Sequence, residues 1–282
     1  MSVRSKRANW AVIILGLLSG VAASAQSGGT SPTEPAALDP ALDRILTRLE
    51  EREVADLHAN LAWRQEYAKD PEEDWVVKRG EIWYQKAQPV AKFMIRFTEK
   101  VSGTRRDKLD EQHLFDGFWY VELQSRTKTV QRHEIRRPND PGNPYKVGQG
   151  YFPLPFGQKK ADILNEFDVR LLPPADKDPP GTDHLFLVPR AGTNTGQSYK
   201  QLDFWVDRAG LTAGLPTKVR VAKLDGTGKV DSYITITFTD AQLNQGFSGS
   251  IFEIKVPPGY TETIETLQPI APPPPPGTPG GS

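Results

Sequence analysis

The sequence predicts a mainly β protein of the α+β class: a curved, half-open antiparallel β-barrel of about ten strands with helices lidding the concave face. Three observations carry that prediction. Alternating apolar and polar residues recur along the chain, as in Leu57, Ala59, Leu61 and Trp63 against His58, Asn60, Ala62 and Arg64. Short turn signals, such as Asp116-Gly117 and the stretches 207–210 and 225–228, join neighbouring runs and make them antiparallel. Only two helical patterns are present, too few to seal the apolar surface that so many strands present.

The first helix is "DPALDRILTRLEERE", read over 40–53. Asp39 caps it, Pro40 takes the first helical position, and Leu42, Ile45, Leu46 and Leu49 share one face. Strand 57–67 follows at once. "GEIWYQK" sets Ile82 and Tyr84 on one face and Trp83 on the other, and "KFMIRF" sets Phe93, Ile95 and Phe97 against Lys92 and Arg96. "QHLF" leads into the Asp116-Gly117 turn, and "FWYVEL" and "TVQRHEI" form a hairpin around 125–128. Within "FDGFWYVEL" (115–123) both faces are apolar. Trp119 and Val121 are expected on the concave side, with Phe118 and Tyr120 covered on the convex side by the Pro-rich insertion. A second helix is expected around "LPFGQKKADILNEF", where Leu154, Phe156, Ile163, Leu164 and Phe167 are apolar. "HLFLV", "YKQLDFWV", "PTKVRVAKL" and "DSYITITF" complete the strands, the convex side being wet and the concave side apolar.

The ends of the chain are of another kind. Residues 1–25 read as a signal peptide: Arg4, Lys6 and Arg7 precede the apolar "WAVIILGLLSGVAA", and small residues at 23–25 place cleavage after Ala25. A periplasmic location follows as an expectation. Residues 26–38 form a Gly/Ser/Pro/Thr linker, 39–265 the folded domain, and 266–282 a Pro/Gly-rich disordered tail.

Composition narrows the function. A formal net charge of +0 gives no electrostatic footprint for nucleic acid. The absence of cysteine removes disulfides, thiol nucleophiles and thiolate metal sites. The histidines show no metal spacing, "DEQH" at 110–113 reads as a turn without a nucleophile, and "GFSGS" lacks the context of a hydrolase serine. No enzyme, cofactor or metal is expected.

The order of pieces resembles the LolA-type periplasmic lipoprotein carriers and the LolA/LolB-like fold. The pieces are the amphipathic helix before strand 57–67, "GEIWY" leading to "QP" at 88–89, "DGFWYVE", a Pro-rich insertion before "FDVRL", "LFLVPR", "YKQLDFWVD" before "LPTKVRV", and the closing "SGSIFEIKVPPGY". The resemblance runs from about Leu42 to Tyr260. It implies a cavity that holds lipoprotein acyl chains or free lipid and moves them toward the outer membrane. It also implies loading by an inner-membrane lipoprotein-releasing ABC transporter and unloading at an outer-membrane receptor. A lipoprotein- or lipid-sensing regulatory module on the same fold is the alternative. Where the family has Arg-Pro, this chain has Gln88-Pro89, so Lys86 and Gln88 are the lid-latch candidates.

The apolar lining is expected from Leu57, Leu61, Trp63, Ile82, Tyr84, Phe93, Ile95, Phe97, Trp119, Val121, Leu185, Leu187, Leu202, Phe204, Ile234 and Ile236. The plainer reading of each is core, and the two overlap, since the lining of an empty carrier is its core.

Overall fold

The computed structural model describes residues 38–71, 74–87, 90–138, 145 and 158–267. Helix α1 (Pro40–Glu51) starts where Asp39 accepts a hydrogen bond from the Ala41 amide at 2.7 Å. Six strands follow: β1 (Asp56–Tyr67), β2 (Trp75–Gln85), β3 (Lys92–Ser102), β4 (Arg105–Phe115), β5 (Trp119–Gln124) and β6 (Thr129–Glu134). Helix α2 (Lys160–Glu166) leads directly into β7 (Phe167–Leu172), then β8 (Thr182–Pro189), the short α3 (Asn194–Ser198), β9 (Tyr199–Asp207), β10 (Pro216–Leu224) and β11 (Val230–Leu243). A 3-10 turn at Gly249–Phe252 precedes β12 (Thr261–Glu265).

All twelve strands form one curved, unclosed sheet in the order β12-β6-β5-β4-β3-β2-β1-β11-β10-β9-β8-β7. The chain starts in the middle, steps outward by hairpins to β6, crosses to the far edge at β7, and steps back until β11 pairs with β1. Every pairing is antiparallel except β12 with β6, which is parallel. The half-open antiparallel fold is as the alternation predicts. The two strands beyond the expected ten are β7 and β12, the two edges of the sheet.

Curvature has local causes. Register shifts fall between Arg79 and Gly80 on β2, between Phe97 and Glu99 on β3, and between His58 and Asn60 on β1. Such bulges bend a strand and increase its twist. At Gly80 a Cβ would lie 1.8 Å from the Arg96 carbonyl oxygen, so the close approach of β2 and β3 there requires glycine.

The doubly apolar strand β5 faces the other way from the expectation. Tyr120 pairs with Phe115, which pairs with Phe93 on the concave side, whereas Val121 pairs with Leu114. Directly paired residues share a face, so Tyr120 is concave and Trp119 and Val121 are convex. There Val121 packs with Met94, Leu114, Leu123 and Val130 under Phe252 and Ile254, with Trp119, Phe247 and Tyr260 at the margin. The convex side is therefore not uniformly wet. Over β3–β6 the C-terminal segment 247–260 covers it, a role expected of the Pro-rich insertion. Leu154 and Phe156 of that insertion lie outside the described residues, as do the signal peptide, all of the linker except Leu38, and the tail beyond Leu267.

Candidate functional site: the concave interior

The concave face divides into two apolar clusters. Over β7–β10, Leu185, Leu187, Leu202, Phe204 and Val206 meet Leu42, Ile45, Leu46 and Leu49 of α1 and Ile163 of α2. Amphipathic spacing puts those four α1 residues on one stripe, and burying that stripe is what docks the helix. Over β1–β4 and β11, Leu57, Leu61, Trp63, Ile82, Phe93, Phe97 and Ile234 form the second cluster, with Tyr84, Ile95 and Ile236 at its margin. Its described cover from outside the sheet is Val54, Val90, Ala91, Ile135, Tyr145 and Leu215. Tyr145 donates to the Ala91 carbonyl at 2.5 Å and packs edge-on against Phe93 and Phe115. Among the described residues no helix lies in this second cluster.

The expected lining thus falls into three places. Ten of its members share the β1–β4/β11 cluster, and Leu185, Leu187, Leu202 and Phe204 pack beneath α1. Trp119 and Val121 are corrected to the opposite face.

The latch differs from the expectation too. Lys86 reaches Glu53 Oε1 at 3.6 Å, but both side chains are more than half exposed, so the pair contributes little. Gln88 lies outside the described residues. The stronger grip on α1 comes from the helix itself. Arg48 Nη1 donates to the Arg208 carbonyl at 3.2 Å and Arg52 Nη2 to the Leu211 carbonyl at 2.6 Å. Both acceptors sit in the β9–β10 connection. Gly214, at φ +82°, lets that connection close on Arg48, since a Cβ there would meet Arg48 Cγ at 2.9 Å. Lys160 ties α2 to Asp43 and Thr47 of α1. Arg48 and Arg52 were legible only as the charged side of an amphipathic helix; their carbonyl partners are about 160 residues away.

A polar chain borders the second cluster. Lys78 Nζ donates to Glu111 Oε1 at 2.5 Å, Glu111 Oε1 lies 2.8 Å from His113 Nε2, and His113 Nδ1 lies 2.7 Å from the Tyr120 hydroxyl. One ring proton on His113 serves both contacts when Nε2–H donates to Glu111 and the Tyr120 hydroxyl donates to Nδ1. All four residues are buried, His113 and Tyr120 completely. "DEQH" is consequently part of strand β4, not a turn.

Burial alone would raise the Glu111 carboxyl, but the hydrogen bond from His113 and the charge and hydrogen bond of Lys78 hold it down at about 2. Burial pulls the Lys78 ammonium below its ordinary range, against the opposing pull of Glu111 and Glu122. Burial, then the Glu122 and Glu111 carboxylates, pushes the Tyr120 phenol well above its ordinary value. The desolvation cost to Lys78 and the gain to Glu111 are two sides of one contact, which holds because Glu111 accepts from both neighbours.

No family model matches the chain, and no curated protein matches it. Several solved structures match most of the chain at low sequence identity. An uncharacterised conserved protein from Thermus thermophilus shares 11% identity, covering 80% of this chain and 99% of that one at a TM-score of 0.44. A LolA superfamily protein from Nitrosomonas europaea shares 14% identity over 75% of this chain and 97% of its own, at a TM-score of 0.37. A domain described as an outer membrane lipoprotein-sorting protein, from Vibrio parahaemolyticus, shares 13% identity over 75% and 94% at a TM-score of 0.35.

Proposed function

We propose that the protein is a non-catalytic periplasmic carrier. It holds the acyl chains of lipoproteins, or free lipid, within the β1–β4/β11 half of the concave face and moves them toward the outer membrane. An inner-membrane lipoprotein-releasing ABC transporter would load it and an outer-membrane receptor would unload it. The observation that supports this reading is the division of the interior. A helix stripe fills the β7–β10 half, while the described cover of the other half is loop side chains, with no helix among the described residues. Apolar burial contributes about 0.8 kcal/mol per methylene without demanding a particular shape, which suits a carrier of varied cargo.

The test uses gently purified mature protein. Native mass spectrometry is expected to find co-bound lipid or lipoprotein, and a fluorescent diacylglycerol analogue is expected to bind the delipidated protein. Ile95→Trp, on the half-buried concave margin, should lower that binding about tenfold while circular dichroism is unchanged. A delipidated protein that ignores the analogue, and that never carries lipid from the cell, would sink the reading.

A further inference from the structure

Inward-facing positions on β2, β4 and β5 break the apolar pattern together. Lys78 stands opposite Trp63, His113 stands between Ile95 and Glu122, and Tyr120 opposite Phe115. Lys78, Glu111, His113, Tyr120 and Glu122 are all under a tenth exposed. They adjoin the proposed acyl compartment directly. The Lys78 ammonium lies 5.8 Å from the centroid of the Trp63 ring and 5.6 Å from that of Phe97, and the Phe97 ring meets His113 edge-on at 5.9 Å. The stripe then runs outward. Tyr120 stacks over His133, which contacts the Glu265 carboxylate at 3.0 Å on edge strand β12. One end of an apolar compartment therefore gives way to a polar path leading to the sheet edge.

The charges within this stripe are unbalanced. Among its described residues two buried carboxylates, Glu111 and Glu122, face one ammonium, and that ammonium already donates to Glu111. Glu122 takes a hydrogen bond from the neutral Gln124 amide. A carboxylate or phosphate brought here would add like charge where water is excluded and repulsion is poorly screened. A hydroxyl or an amide N–H could donate to Glu122 without adding charge, and an amine would gain a counter-charge.

We propose that the Lys78–Glu111–His113–Tyr120–Glu122 stripe is the head-group site of the compartment. It selects acylated ligands with neutral or cationic hydrogen-bonding heads and turns away anionic ones. This rests on the acyl-binding reading above and names the ligand class for the same interior.

The test displaces a fluorescent monoacylglycerol from delipidated protein with three twelve-carbon probes at about pH 8: the glycerol ester, laurate and dodecylamine. The ester and the amine are expected to compete at concentrations about tenfold lower than laurate. Glu122→Gln is nearly isosteric and removes the charge, so it should bring the laurate and ester concentrations closer together and shrink the tenfold ratio. If wild-type protein takes laurate as readily as the ester, or if a folded Glu122→Gln leaves the ratio unmoved, the head-group assignment fails and the carrier reading stands. If none of the probes nor the fluorescent ligand binds, both fail. The wild-type ordering decides the matter should Glu122→Gln not fold.

Discussion

Replacing Glu111 with glutamine tests whether the buried polar chain is ionised in the folded protein. A carboxyl held at about 2 instead of its ordinary 4.5 favours the folded state while it is charged. At about 1.4 kcal/mol per pH unit, the difference amounts to about 3 kcal/mol. The sign follows from the lowered value. The stabilisation is fully present above about pH 4.5 and is lost as the pH falls through about 2. The glutamine side chain mimics the protonated acid, so Glu111→Gln should be less stable than wild type by about 3 kcal/mol at pH 7, and the gap should close by about pH 2. Lys78 works in the opposite sense. Its lowered value is a cost of burial, relieved only as the pH rises through that value. It does not contribute to the acid window. Urea unfolding of both proteins at a series of pH values reads the gap directly. A gap that is constant from neutral to acid pH would refute the argument, because it would show that Glu111 does not change protonation on unfolding in that range.

Three further outcomes follow from the packing. Leu46→Ala removes a fully buried side chain beneath α1 and should cost about 2–5 kcal/mol in urea unfolding. In the still-folded protein it should leave acyl binding intact, and a selective loss of binding would move the compartment to the α1 half. Gly80→Ala forces a Cβ toward the Arg96 carbonyl 1.8 Å away and should lower the thermal midpoint sharply, whereas Gly226→Ala, with open space around it, should not. Ile254→Asp places a carboxylate in the convex cluster and should release the C-terminal segment, read as new cleavage after 243 in limited proteolysis.

The parts of the fold legible in the sequence are those with one clean face. On β1, β10 and β11 apolar and polar residues alternate near the core, and on β2, β3 and β9 polar residues beside the apolar runs still mark the parity, so the concave residues fall where alternation puts them. On β5 alternation is silent, because Trp119, Tyr120 and Val121 are all large and apolar. The pairing of Tyr120 with Phe115 decides the face, and that register is set by the length of the turn at Asp116-Gly117, which alternation alone does not reveal. The edge strands were hidden for a related reason. Every residue of β12 is exposed, so it has no apolar face, and Phe167 at the start of β7 read as the end of a helix. The polar chain left a trace that propensity reasoning discounts. Counting by twos from Ile82 through Gly80 reaches Lys78, and from Phe115 through His113 reaches Glu111. Charged residues at inward positions on both β2 and β4 were the available signal of a buried site.

Why the two halves of the interior should differ in function is a question of competing burial. An acyl chain entering the β7–β10 half must displace Leu42, Ile45, Leu46 and Leu49, whose burial contributes about 1.5–3 kcal/mol each, hence about 6–12 kcal/mol together. A chain of a dozen methylenes gains about 10 kcal/mol by the same measure, so exchange there is close to neutral before the helix's hydrogen bonds to the β9–β10 connection are lost. Against the β1–β4/β11 half the described cover is single loop side chains such as Val54, Tyr145 and Leu215, so an entering chain displaces loop residues and not a docked helix. The convex cover from residues 247–260 lies behind β3 and β4 of this half, so those strands are packed on both sides and only the concave cover has to move for a chain to enter.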